Sequence, residues 1–369
     1  MDRGVNLGNW LVLEKWMSPS MFAGTTAEDE ITLNLQLDRG DLDARYRVHR
    51  DQFISPRDFA YLAGRGLRLV RLPVPYWVFG DTADAPGCIE YVDKALEWGE
   101  RYGVRVLLDL HTVPDSQNGF DNGGLQGVCT WHLQEDKVDF ALGVLERLAQ
   151  RYGRSPALWG IEAVNEPISP ALWQVLDVPT RYPAHDPVRA EGSEAVPTEF
   201  LKEYYRRAHE RIRAHVDPGV RVVCHDGFRP AEWGDFFSDP GFENIVVDTH
   251  RYLMMHTLSA GDDTLEGYVR HLREEFGAEI ARMAGDYPVL VGEWCLDTHS
   301  RRATQLDQEQ QREFFRTLYD ASEEAWAPAV AWTYWSYKVP IDEAEYDTWD
   351  ITRAMERGWL PERFTDGVA

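Results

Sequence analysis

Eight short apolar runs recur along the chain, and stretches with helical spacing separate most of them. They lie at residues 4–10, 67–72, 104–110, 158–165, 220–225, 245–250, 288–293 and 330–335. Continuous β-branched stretches such as Ile245-Val246-Val247 suit strands buried on both faces, which is the condition of parallel strands covered by helices. Between the runs, residues 91–102, 136–152, 198–215, 265–283 and 308–324 carry the period of amphipathic helices. Residues 55–63 open with Ser55-Pro56, a cap followed by proline at the first helical position. This alternation predicts an α/β protein, a single-domain (β/α)8 TIM barrel over residues 1–369. A doubly wound open sheet fits less well, because no glycine-rich phosphate loop follows the first strand. Residues 18–51 are mostly polar, and 168–197 are rich in Pro, Ala and Asp. Both segments predict long loops on the C-terminal face, where the active sites of such barrels lie.

Composition narrows the function classes. The net charge of −24 repels phosphates, which argues against nucleic acid and anionic membranes and suits a neutral substrate. No run approaches the 18 or so apolar residues of a membrane span. Aromatic residues make up 12% of the chain, enough to furnish both a core and platforms for sugar rings. Cys88, Cys129, Cys224 and Cys295 are scattered without metal-ligand spacing, and buried free thiols are expected. No basic-then-apolar leader opens the sequence, so the expected location is cytoplasmic.

Polar residues gather at the ends of the apolar runs. The first run ends near Asn9 and Trp10, with Glu14 just beyond, and the second ends Val70-Arg71-Leu72-Pro73. Later ends carry Asp109-Leu110-His111, Asn165-Glu166-Pro167, His225-Asp226, Asp248-Thr249-His250-Arg251-Tyr252, Glu293 and Trp335. Two glutamates at two strand ends are the minimum equipment for cutting a glycosidic bond, since one must protonate the leaving oxygen and the other must attack the sugar carbon. His111 and His250 lack a third ligand at suitable spacing, so neither a metal nor a cofactor is expected. Glu162 shares a strand face with Glu166, and is expected inside the barrel beside Arg68 or Arg71.

These motifs, with Arg3-Gly4-Val5-Asn6-Leu7-Gly8, Trp10-Leu11-Val12-Leu13-Glu14, Ser116-Gln117-Asn118-Gly119-Phe120-Asp121-Asn122 and Val291-Gly292-Glu293-Trp294, resemble glycoside hydrolase family 5, and within it the exo-β-1,3-glucanases. The resemblance spans residues 3 to about 350. It implies that Glu166 is the general acid and base, with a raised pKa, and that Glu293 is an ionised nucleophile supported by Arg71 and Tyr252. It implies that Asn165 binds the sugar 2-hydroxyl and that His250 and His111 support the site. Trp335 would form the floor of the −1 subsite, followed by a cis peptide bond, and Glu14, Asn118 and Phe120 would bind substrate. Carboxyl groups about 5–5.5 Å apart would give retention through a covalent glycosyl-enzyme. The implied partner is a neutral β-linked oligosaccharide, cut from its end.

The chain departs from the family pattern at Asn9, at Thr112-Val113-Pro114-Asp115, and at Met255, where an aromatic residue often clamps the leaving sugar. Asp115 is expected to add a carboxylate near the pocket mouth. These departures leave linkage and leaving group open. An exo-β-mannosidase is the main alternative, followed by an endo-β-glucanase or an inactive sugar-binding barrel.

Overall fold

The structure is a computed structural model and describes residues 1–365. Eight parallel strands close into a barrel in chain order: β1 (Asp2–Asn6), β2 (Leu69–Val74), β3 (Arg105–Leu110), β4 (Leu158–Glu162), β5 (Arg221–His225), β6 (Ile245–His250), β7 (Val289–Trp294) and β8 (Ala331–Tyr334). β1 pairs with both β2 and β8, which completes the ring. β2, β4, β6, β7 and β8 are buried along their whole length, as strands covered on both faces must be.

The period of two along each strand sets the barrel interior. Leu69, Leu107, Val246 and Leu290 belong to one apolar cluster with Trp159, Val223 and Ala331, and this plug fills the lower barrel. Two residues further on, the same strand faces carry Arg71, Asp109, Asp248 and Gly292. The interior therefore changes from apolar to charged within one step of the pleat. Gly292 is required at that step. A Cβ there would lie 2.0 Å from Asp248 Oδ2, and the Gly292 N–H donates to Asp248 Oδ1 at 2.7 Å.

The outer layer includes helices Pro56–Gly64, Ile89–Tyr102, Glu135–Tyr152, Thr198–Arg213 and Gln308–Trp326. Ser55 and Asp58 form the capping box of the first of these. The expected helix at 265–283 extends to Asp286 and contains a π-helical turn at His271–Gly277. All four cysteines are free and buried. Among the described residues no helix is long and apolar enough to cross a membrane.

Three expectations need correction. β1 stops at Asn6 rather than Trp10, and the chain has left the sheet by Asn9, whose φ is +64°. β4 stops at Glu162, so Asn165 and Glu166 lie in the loop beyond it. Beyond Asp29, segment 18–51 is no loop. It folds into helices Glu30–Gln36 and Arg39–Phe53, capped by Asp29 and Asp38. The second of these buries only Leu42, Tyr46, Arg50 and Phe53, a stripe too sparse to stand out among its charges. Glu30 accepts the Leu13 N–H at 2.9 Å, so these helices brace the loop that carries Glu14. Segment 168–197 contains the short helices Pro170–Val175 and Val178–Arg181.

Candidate active site

Arg71 is the centre of the charged layer and is fully buried. Its Nε donates to Glu162 at 2.8 Å, its Nη1 to Glu293 Oε1 at 2.9 Å and Asn6 at 3.1 Å, and its Nη2 to Asn165 Oδ1 at 2.8 Å. Asp109 and Asp248 approach the same guanidinium at 3.1 and 3.6 Å. Four carboxyl groups thus surround one cation. Burial pushes the Glu162 carboxyl up, Asp109 and Asp248 add to that push, and Arg71 opposes it without cancelling it. Of the two arginines expected beside Glu162, Arg71 rather than Arg68 is the one that pairs with it.

Glu293, at the end of β7, is held from two sides. Arg71 fixes Oε1, and the Tyr252 hydroxyl donates to Oε2 at 2.6 Å. Glu166 has φ +45°, a left-handed conformation that is strained for a residue with a Cβ and is concentrated at functional sites. Its Oε1 lies 2.7 Å from His250 Nδ1, and Asn122 Nδ2 donates to its Oε2 at 3.2 Å. His250 Nδ1 is also 3.5 Å from Glu293 Oε2. One nitrogen therefore meets both carboxylates, whose nearest oxygens can be no further apart than the sum of those two distances.

Protonation in this trio differs from the expected pattern. Burial raises the Glu166 carboxyl, but the hydrogen bond and charge of His250, with His111 and Asn122, outweigh it and hold the group below its ordinary range. Burial disfavours charge on His250, yet Glu293, Asp248 and Glu166 together hold the imidazole well above its ordinary range. Glu293 is raised by burial and by Glu166, against the pull of His250 and Arg71. The expected raised pKa of Glu166 is thus corrected. Both directions favour the proton of the Glu166–His250 pair on the imidazole, because a buried cation between acids is better compensated than a neutral ring.

Residues 46–339 match the family described as Cellulase (glycosyl hydrolase family 5). The chain belongs to glycosyl hydrolase family 5. It is 31% identical over 403 aligned positions, 99% of this chain and 88% of the relative, to a probable glucan 1,3-beta-glucosidase A of Aspergillus fumigatus. A protein of the same description from Aspergillus niger is 36% identical over 301 residues, 79% of this chain and 64% of its own length. The fold is similar to that of a rutinosidase from Aspergillus niger, with a TM-score of 0.77, 21% identity and 97% of each chain covered. It is also similar to that of a beta-glucanase from Saccharophagus degradans, with a TM-score of 0.53 and 16% identity over 87% of this chain and 84% of the other.

Around the two glutamates of this family 5 hydrolase stands a ring of further side chains. Trp335 stacks on His111, with ring centroids 5.8 Å apart and planes 10° from parallel, and a cis peptide bond joins Trp335 to Ser336. His111 Nδ1 meets Asp109 at 2.6 Å, which leaves Nε2 buried without a protein partner. Asn165 Nδ2 is likewise buried and unpartnered, while its Oδ1 is taken by Arg71. Glu14 is buried, accepts the Trp16 indole N–H at 2.6 Å, and is raised well above its ordinary range by burial, with Asp121, Glu293 and Glu166 adding to the shift. Phe120 is buried against Tyr182, 5.0 Å between centroids. Met255 sits on the short helix Met254–Leu258.

Two expected site residues turn elsewhere. Asn118 is spent inside its own loop, where Oδ1 accepts the Phe120 N–H at 2.9 Å and Nδ2 reaches Asn122, and Asn122 takes the place beside Glu166. Asp115 is a buried anchor paired with Arg189 and Lys137 rather than a carboxylate facing substrate. Residues without an expected role also enter the site. Asn6 bridges Arg71 to the Gly292 carbonyl, and Gln117 Nε2 ties the His111 carbonyl to that of Asn165.

Glu166, His225 and His250 offer ligand atoms within 4.8 Å of one another, the spacing of a metal site. His225 cannot serve as the third ligand in this arrangement. Its Nδ1 already accepts the Gly227 N–H at 2.8 Å, and burial keeps the ring neutral, so Nε2 carries the proton and offers no lone pair.

Proposed function

We propose that the protein is a retaining, exo-acting β-glycosidase that removes terminal glucose from short β-1,3-linked glucans. The observation that carries this reading is the single nitrogen, His250 Nδ1, placed against both Glu166 and Glu293. Carboxyl groups tied to one nitrogen favour the spacing of a retaining pair, about 5–5.5 Å, over that of an inverting pair, about 6.5–9.5 Å, which must admit a water between them. The glucan 1,3-beta-glucosidase relatives supply the sugar and the linkage.

Glu293 is the nucleophile, its charge supported by Arg71 and Tyr252. It attacks the anomeric carbon while the bond to the leaving oxygen breaks, and Glu166 passes the stored proton of the Glu166–His250 pair to that oxygen. A glycosyl ester on Glu293 results. Water then attacks the same carbon, Glu166 takes its proton, and the ester breaks to release sugar of the original β configuration. Asn165 Nδ2 and His111 Nε2, both buried without partners, are free to hydrogen-bond sugar hydroxyls. Trp335 is the floor of the site. Burial favours the protonated form of Glu14, which can both donate to and accept from a hydroxyl. A neutral glucan suits a site already crowded with carboxyl groups.

The test is proton NMR of the first product formed from a β-1,3-linked oligosaccharide. Glucose released initially as the β anomer is the expected result, whereas initial α-glucose contradicts the mechanism. A parallel panel of aryl β-glucosides and β-mannosides checks the sugar, with the glucosides expected to be the faster.

A further inference from the structure

Four aromatic rings form a band along one side of the barrel mouth. Trp349 lies 5.7 Å from Tyr252 and meets Trp16 edge-on at 5.3 Å, and Trp16 in turn stacks on Tyr346 at 6.1 Å, 19° from parallel. The order is therefore Tyr252, Trp349, Trp16, Tyr346. Two members are tied to site acids, Tyr252 to Glu293 and Trp16 to Glu14, each at 2.6 Å. All four rings are partly exposed, and they pack on the cluster that contains Trp335.

The band is rigid. The Trp349 carbonyl accepts the Ser336 N–H at 2.6 Å, directly after Trp335. Asp350 accepts the Val339 N–H at 2.9 Å and caps helix Ile351–Glu356. Arg353 binds the Val339 carbonyl at 3.0 Å and pairs with Asp347 and Asp350. Partly exposed rings on a segment anchored in this way form a concentrated apolar surface, which marks a binding contact.

We propose that Trp16, Tyr346 and Trp349 form a stop on the glycone side of the site, which admits one sugar ring beyond the scissile bond and excludes a second. This rests on the reading that the terminal sugar lies between Glu293 and Glu14. From Glu293 to Glu14 the band follows that ring from its anomeric carbon to its far edge. Tyr346 stacks on Trp16, the partner of Glu14, and so adds one more ring at the end of the band where a second sugar would have to enter. The exo restriction is then set by the segments after β1 and β8, and Tyr346 is its outermost part.

The test follows the early products from a β-1,3-linked pentasaccharide labelled at its reducing end, for the full chain and for Tyr346→Ala. The wild-type protein is expected to release only glucose and labelled tetrasaccharide. The variant is expected to release disaccharide as well, raised about tenfold or more, the scale of discrimination that a pocket wall provides. Its kcat/KM on an aryl β-glucoside should stay within about twofold, since Tyr346 is linked to Glu14 through Trp16 and to Glu293 only through the rings beyond it. Trp349→Leu should raise the disaccharide share further. Variants that keep aryl-glucoside activity and still release glucose alone overturn the stop while leaving the exo reading intact. A ladder of oligosaccharides from the wild-type protein overturns both.

Discussion

Arg71 and Asp115 are two buried ionic centres of opposite design. Arg71 is one cation among Glu162, Asp109, Asp248 and Glu293, all essentially removed from water. Asp115 is one carboxylate between two cations. Arg189 donates to its Oδ1 at 2.8 and 2.5 Å, and Lys137 binds the other oxygen. Burial raises the Asp115 carboxyl, but Lys137 and Arg189 more than offset this and leave it below its ordinary range. Its charge is settled, and its work is to tie the loop after β3 to helix Glu135–Tyr152 and to segment 168–197. Around Arg71 the charge is not settled, because one guanidinium cannot compensate four acids. Glu162 and Glu293 are raised, and the nearby imidazole of His250 is held well above its ordinary range. The difference teaches that under-compensated burial makes protons available, whereas full compensation only positions.

The comparison can be broken or sharpened by substitution. Glu293→Gln should lower kcat by on the order of 10⁴- to 10⁶-fold, the cost of removing a covalent nucleophile, with the fold unchanged by circular dichroism. Arg71→Met should destabilise the protein by about 3–5 kcal/mol in denaturant unfolding, because it strands buried carboxylates without their cation. A loss no larger than that of a rim ion pair would erase the distinction between the two centres.

His250→Gln tests where the proton rests. In the wild-type protein the basic limb of kcat/KM reports loss of a proton held by His250, whose pKa is raised above 6.5. Without the imidazole the proton must sit on Glu166, which burial then raises from the carboxylate range near 4.5. The basic limb should move down in pH, because a carboxyl releases its proton below an imidazole held above its ordinary range. A limb that stays in place or moves up contradicts the shared proton. Asp115→Asn is the smallest change. It should cost on the order of 1 kcal/mol of stability and leave kcat within about twofold. A large loss of kcat would make Asp115 part of the chemistry after all.

Much of this arrangement is legible along the chain because parallel strands are apolar until they end. Arg71, Glu166, His250, Tyr252, Glu293 and Trp335 stand out as polar or aromatic residues where such runs stop. What the chain hides depends on contacts distant in sequence. Glu166 is lowered by an imidazole that meets it across 84 positions. Asn118 and Asn122 are two amides one loop apart, and only the fold of that loop decides which faces Glu166. Asp115 reads as a spare acid because Lys137 and Arg189 reach it from separate segments. Helix Arg39–Phe53 is obscured for another reason, since its buried stripe includes Arg50.

The central claim is that Glu293, opposite Glu166, takes the sugar as an ester. Incubation with a 2-deoxy-2-fluoro-β-glucoside bearing a good leaving group slows both chemical steps and lets the ester accumulate, because the electronegative fluorine destabilises the oxocarbenium-like transition states. Proteolysis and mass spectrometry then locate the label. The account predicts one fluoroglucosyl group per chain, on Glu293. A label on Glu166, or inactivation of the protein without any label on Glu293, would contradict it.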